Sequence, residues 1–118
     1  MTIHWCGTGL SSAPGLRRLI EAGLPVVVWN RTVEKAREAV GDLTQDIRPY
    51  SLDALTAALK PGDVAISMLT VEHHVPIAKA CLAKGANFVS SSYISPEMRA
   101  LDGEFKAKGL VSINECGL

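Results

Sequence analysis

The sequence carries no surplus of charge of either sign: 12 Lys and Arg stand against 12 Asp and Glu. A surface so balanced offers no electrostatic attraction for a nucleic acid backbone or an anionic membrane, and neither partner is expected. Long hydrophobic runs are missing too. The apolar stretches are a few residues each, against the roughly 20 that a membrane span requires. No charged segment leads into an apolar one at the start, so no secretory signal is visible and a cytoplasmic location is expected. Cysteine is sparse: Cys6, Cys81 and Cys116 are odd in number and include no C-x-x-C pair. That argues against a disulfide framework and a zinc knuckle, and all three are expected as small buried residues in a reducing compartment. His73 and His74 are adjacent, and neighbours on a helix diverge by about 100°, so no shared metal ion is expected.

What is present is one domain's worth of chain, 118 residues with 47% hydrophobic and 20% charged side chains. Short β-branched runs alternate with segments of helical period. Strands are predicted at Ile3 to Cys6, Val26 to Trp29, Asp46 to Tyr50, Val64 to Leu69, Asn87 to Ser91 and Leu110 to Asn114. Pro49 places the third at a sheet edge, because proline cannot donate to a ladder. Helices are predicted from Ser12 to Ala22, from a Thr32 cap to Val40, over Leu52 to Leu59, from Pro76 to Lys84, and from a Ser95 cap to Gly109. Thr70 to Val75 is expected as a loop, since Pro76 cannot lie deep in a helix. Strands joined through single helices run parallel, with right-handed crossovers. The expected fold is α/β: a Rossmann-like, doubly wound, parallel six-stranded sheet with helices on both faces.

In such a sheet, ligands bind beyond the C-terminal strand ends, where strand order reverses. The loop after the first strand reads Gly7-Thr8-Gly9-Leu10-Ser11-Ser12. Two glycines between a strand and a helix allow a tight turn and a close backbone approach to a pyrophosphate. A bland tight turn is the competing reading. The segment after the second strand, Asn30-Arg31-Thr32, lacks the acid that would hold an unmodified ribose 2′-hydroxyl. It offers a guanidinium instead, which suits a 2′-phosphate and favours NADP, unless Arg31 is simply solvated. The fifth-strand loop, Ser90-Ser91-Ser92-Tyr93-Ile94-Ser95, is dense in hydroxyls. They could orient a nicotinamide ribose or a substrate carboxylate, or serve as turn and cap groups, as Ser95 does. His74 lies at the same mouth, where a surface position is the commoner outcome.

Ser91-Ser92-Tyr93-Ile94-Ser95-Pro96, followed by Arg99 and Leu101, resembles the S-S-Y-I-S-P-x-x-R-x-L segment of saccharopine dehydrogenases of the glutamate-forming type. The ending Asn114-Glu115-Cys116-Gly117-Leu118 is similar to that family's N-E-x-G-L, and Gly7, Gly9, Arg31 and Thr32 match its glycine loop and R-T pair. The resemblance covers nearly the whole chain. It departs at Thr70, where relatives often have proline, and around Val75-Pro76. It implies NADP contacts from Gly7, Thr8, Gly9, Leu10 and Ser11, with Asn30, Arg31 and Thr32 at the 2′-phosphate. Leu69, Ser91, Ser92 and Leu118 would flank the nicotinamide, and Ser92 and Tyr93 would touch an amino-acid substrate, saccharopine.

The resemblance also implies a second, substrate-binding domain after this one, so the chain is expected to be a truncated cofactor domain that is inactive alone, with a homodimer possible in the full enzyme. The implied reaction is NADPH-dependent reduction of the imine formed by 2-aminoadipate 6-semialdehyde and glutamate. A nucleotide-sensing module without catalysis, or an NADP dehydrogenase of the polyamine-imine or shikimate type, is the alternative reading.

Overall fold

A computed structural model describes residues 1–9 and 11–116. The strands are β1 (Ile3–Cys6), β2 (Val26–Asn30), β3 (Ile47–Pro49), β4 (Val64–Ser67), β5 (Asn87–Ser90) and β6 (Ser112–Ile113). The helices are α1 (Ala13–Glu21), α2 (Val33–Val40), α3 (Leu52–Ala58), α4 (His74–Lys84), α5 (Pro96–Ala100) and α6 (Asp102–Ala107). All strand pairs are parallel, in the order β3-β2-β1-β4-β5-β6. The chain therefore starts mid-sheet, builds outward through β2 to the β3 edge, then returns past β1 to lay down β4, β5 and β6. The reversal falls between β1 and β4, so the ligand crevice of a doubly wound sheet lies at their C-terminal ends.

Alternation along the strands divides the core in two. Trp5 and Val28 point to one face, where Leu16 of α1 and Ala36 and Val40 of α2 cover them. Cys6, Val27, Trp29, Ala65 and Phe88 point to the other, under Leu55 of α3, Ile77 and Cys81 of α4, Met98 of α5 and Phe105 of α6. Leu16, Leu55, Ile77 and Phe88 are fully buried, each worth about 2 kcal/mol of transfer free energy. Arg17 fastens α1 to the end of α2, donating to the Ala39 carbonyl and, as a fork, to both Asp42 oxygens at 2.8 and 2.9 Å.

Three expectations need correction. The segment before Pro76 is not a loop: Val71–His73 forms a 3₁₀ turn and α4 starts at His74. Pro76 is then the third helical residue, where its missing N–H has no intrahelical carbonyl to meet. The final helix is two, because the chain tightens at Leu101 through i→i+3 bonds from Leu101 N to Met98 O and from Glu104 N to Leu101 O. Met98, Leu101 and Phe105 stay buried across the break. Cys116 is exposed, whereas Cys6 and Cys81 are buried, because Cys116 lies beyond the short edge strand β6.

Candidate functional site

Gly7 leaves β1 with its N–H on the Trp29 carbonyl at 2.9 Å, and its own carbonyl accepts from Trp5 Nε1 at 2.8 Å. Its φ is +104°, and a Cβ there would lie 2.9 Å from the backbone C and O of Met68. Only glycine lets the ends of β1 and β4 approach this closely. Gly9 is different. It keeps a negative φ, and a Cβ on it would meet nothing within 4 Å. The turn thus opens a hollow beside an exposed backbone. Thr8 Oγ1 is buried there with no hydrogen-bond partner among the described residues. A buried, unmet hydroxyl calls for an external partner, and a phosphate oxygen beside an open glycine turn meets that need.

Ser12, in place of a third glycine, is buried and folds back on the loop, reaching the Gly7 and Gly9 carbonyls at 3.3 and 3.2 Å. It makes no side-chain cap bond for α1. The Gly9 carbonyl also accepts from Ser12 N and Ala13 N. Ser11 is exposed at the helix start. Leu10 and Leu118 lie outside the described residues.

At the end of β2, Asn30 is held twice: its Nδ2 donates to the Thr32 carbonyl at 2.8 Å and its carbonyl accepts from Tyr50 N at 2.8 Å. Arg31 and Thr32 are exposed. Thr32 occupies the cap position of α2 by backbone geometry but makes no side-chain cap bond, so its hydroxyl is not consumed by the helix. The sequence reading missed an acid that reaches this corner from the turn after β4. The Thr70 hydroxyl at 2.7 Å holds the Glu72 carboxyl below its ordinary range, with His73 and Arg31 adding to the effect.

The β5 end is knitted more tightly than its hydroxyl-rich sequence suggests. Ser90 is buried and donates to Asn114 Oδ1 at 3.1 Å, while its carbonyl accepts from Cys116 N. Glu115 N reaches the Ser92 carbonyl at 3.0 Å and Glu115 Oε2 accepts from Ile94 N at 3.1 Å. Glu115 adopts φ 59°, a left-handed conformation a side chain tolerates only when its surroundings hold it. Ser91 and Ser92 are half-buried and Tyr93 stands out into solvent at 77% exposure.

His74 is not a surface residue. It is buried, with Nδ1 2.8 Å from Ser67 Oγ and Nε2 2.7 Å from Ser92 Oγ. Burial lowers its pKa, with His73 adding to the shift and Glu72 opposing it. The two adjacent histidines point apart: His73 lies edge-on to Tyr50 at 5.6 Å between centroids. Asn114 was expected as the last residue of the sixth strand but lies just beyond it. Glu115 was legible as a mouth residue only from its place after that strand, and His74 from its place after the fourth.

The predicted residues therefore fall into two groups. Gly7 touches the Met68–Leu69 turn, and His74 links β4 to Ser92, so the glycine turn, Leu69 and the serine loop share one mouth. Asn30, Arg31 and Thr32 lie across β1 from it, at the end of β2. A groove of 780 Å³ also starts at Thr8 and Gly9, but it runs between α1 and α2 past Pro14, Arg17 and Lys35. No residue of the β4 or β5 mouth lines it. It is a seam between two helices, and only its rim belongs to the site.

Residues 3–113 match the family model described as the saccharopine dehydrogenase NADP binding domain. The chain is 33% identical over 117 residues to a saccharopine dehydrogenase [NADP(+), L-glutamate-forming] of Pyricularia oryzae, covering 95% of this chain and 26% of that protein. It is 29% identical over 118 residues to the mitochondrial alpha-aminoadipic semialdehyde synthase of Bos taurus, covering 95% of this chain and 13% of the relative. Among solved structures, apo saccharopine dehydrogenase (L-Glu forming) from Saccharomyces cerevisiae matches with a TM-score of 0.85 and 27% identity, over 99% of this chain and 27% of that one. The chain thus spans about a quarter or less of the length of these relatives.

Proposed function

Because the chain belongs to the family of saccharopine dehydrogenase NADP-binding domains, we propose that it is the cofactor half of an oxidoreductase that interconverts an imine and a secondary amine, with saccharopine as the amine. The observation that carries this reading is the shared mouth. An open glycine turn with an unmet buried hydroxyl at Thr8 lies at the end of β1, and a hydroxyl loop lies two strands away at the end of β5. When bound, NADPH supplies a hydride to the imine carbon, and NADP accepts it in the reverse direction.

The chain's own residues bind and orient. Gly7, Thr8, Gly9, Leu10 and Ser11 would cradle the pyrophosphate, with Thr8 Oγ1 gaining the partner it lacks among the described residues. Arg31 and Thr32, steadied by the doubly held Asn30, would take the adenosine 2′-phosphate. Leu69, Ser91, Ser92 and Leu118 would flank the nicotinamide, where the half-buried apolar Leu69 side chain helps exclude water. Ser92 and Tyr93 would face the amino-acid substrate. The exposed Tyr93 ring awaits a cover, which we assign to substrate and to a substrate-binding domain elsewhere in the protein.

Titration of the chain with NADPH and with NADH tests the cofactor assignment. NADPH is expected to bind clearly tighter, and equal affinities would refute the role of Arg31 and Thr32. Turnover of saccharopine by residues 1–118 alone would overturn the two-domain reading.

A further inference from the structure

The chemistry above leaves His74 without a task, yet its imidazole is the link between β4 and the serine loop. A neutral imidazole has one donor nitrogen and one acceptor nitrogen. Burial, the main cause of the lowered pKa, keeps this ring neutral. The neighbouring serines decide which nitrogen carries the proton. Ser67 is fully buried on β4, and His74 Nδ1 is the partner of its hydroxyl, at 2.8 Å. If Nδ1 carried the proton, Ser67 would have to accept it. The Ser67 hydroxyl proton would then be buried with no acceptor among the described residues, an arrangement that folded proteins avoid. Ser67 therefore donates to Nδ1, and the imidazole proton sits on Nε2. From there it is given to Ser92 Oγ at 2.7 Å.

The consequence appears at Ser92. With an N–H arriving at its oxygen, the Ser92 hydroxyl is left with its own proton to offer, and this half-buried side chain lies at the mouth. We propose that His74 is a positioning residue that fixes Ser92 as a hydrogen-bond donor toward the mouth, so that this corner takes a ligand's acceptor oxygen and disfavours an ammonium group. The inference rests on the reading in which Ser92 faces cofactor and substrate. Two sources offer that oxygen: the nicotinamide carboxamide and a substrate carboxylate.

Imidazole ¹⁵N spectra of the chain test this, with His74 assigned by its replacement. The free protein should show Nδ1 as pyridine-type and Nε2 as pyrrole-type nitrogen. An Nδ1–H tautomer or an imidazolium at neutral pH would overturn the proposal. Ser92→Ala should retain the Nε2–H pattern, because Ser67 still donates to Nδ1. Ser67→Ala should lose that preference and give mixed tautomers; a folded Ser67→Ala protein with an unchanged pattern would refute the argument. NADP⁺ alone, and NADP⁺ with L-saccharopine, then identify the acceptor: whichever addition shifts the His74 Nε2–H signal supplies the oxygen. Ser92→Ala should weaken that ligand by about tenfold. Unmoved Thr8 and Gly9 amides would show that the cofactor reading has failed. Amides that move while Nε2–H stays fixed in both additions would sink this proposal instead.

Discussion

His4 Nε2 lies 3.0 Å from Asp63 Oδ2, both side chains buried at the N-terminal edge of the sheet, opposite the mouth. The tautomer of His4 is set by its other neighbour. The Trp29 indole N–H, which can only donate, reaches Nδ1 at 3.1 Å, so Nε2 carries the proton to Asp63. Thr2 N and Lys60 N also donate to the carboxylate, at 2.9 and 3.0 Å. Burial by itself would raise the Asp63 pKa; these donors outweigh it and hold the group below its ordinary value. Asp63→Asn turns an amide N–H₂ toward this set of donors and should lower stability by about 3 kcal/mol. A folded pKa below the unfolded one means stability that is present above about pH 3.9 and lost as the pH falls through the folded value. The deficit of the variant, read by urea unfolding, should therefore shrink on acidification below pH 4. A deficit independent of pH would refute the carboxylate's part.

The two glycines of the first turn should respond oppositely to the same substitution. Gly7→Ala forces a side chain into φ +104° and against the Met68 carbonyl at 2.9 Å, so the fold itself should lose about 2 kcal/mol or more. Gly9→Ala adds a methyl group to empty space at a negative φ. Its thermal unfolding should match the parent, while NADPH affinity should fall at least tenfold, because the methyl group occupies the hollow a pyrophosphate needs. Calorimetric titration beside thermal unfolding separates the two effects. Unchanged NADPH binding by Gly9→Ala would remove the glycine turn from the site.

Much of this fold was legible because its signals are local. Gly7 was expected at a tight turn after the first strand and Gly109 at the end of the last helix, and each has a positive φ. Ser95 was expected as a cap, and it accepts from Met98 N at 3.1 Å. The unreadable parts depend on what lies across space. Pro76 marks a helix start to within a turn, but packing on the sheet decided that the helix reaches back to His74. The sequence also shows three serines in a row without showing that Ser90 is spent on Asn114 while Ser92 is bound to His74. Likewise, the lack of an acid after β2 is a true reading of that loop, yet Glu72 is brought near Arg31 by strand order alone.

Arg31 is where cofactor preference should be decided. Arg31→Ala removes the guanidinium expected at the 2′-phosphate, and should weaken NADPH by about tenfold or more while leaving NADH nearly unchanged. Glu72→Gln is the complementary variant. It removes the carboxylate whose field reaches Arg31, and should tighten NADPH modestly at low salt, with the gain fading as salt is added. Equal losses for both cofactors in Arg31→Ala would sink the assignment.

His74 should leave its own mark on stability between neutral and mildly acid pH. Its folded pKa lies below the ordinary histidine value, chiefly through burial, with His73 opposing the positive charge and Glu72 favouring it. A lowered folded pKa means that the unfolded chain binds the proton more readily. The stabilisation is complete above the ordinary value of about 6.5 and diminishes as the pH falls below it, because burial disfavours the charged ring. Urea midpoints of the parent should therefore decline from pH 7 to pH 5. His74→Asn should be less stable at pH 7 and show a flatter profile, whereas His73→Asn should keep most of the slope. A parent profile that is flat over this range, or a slope that follows His73 rather than His74, would show that the buried imidazole does not titrate with unfolding.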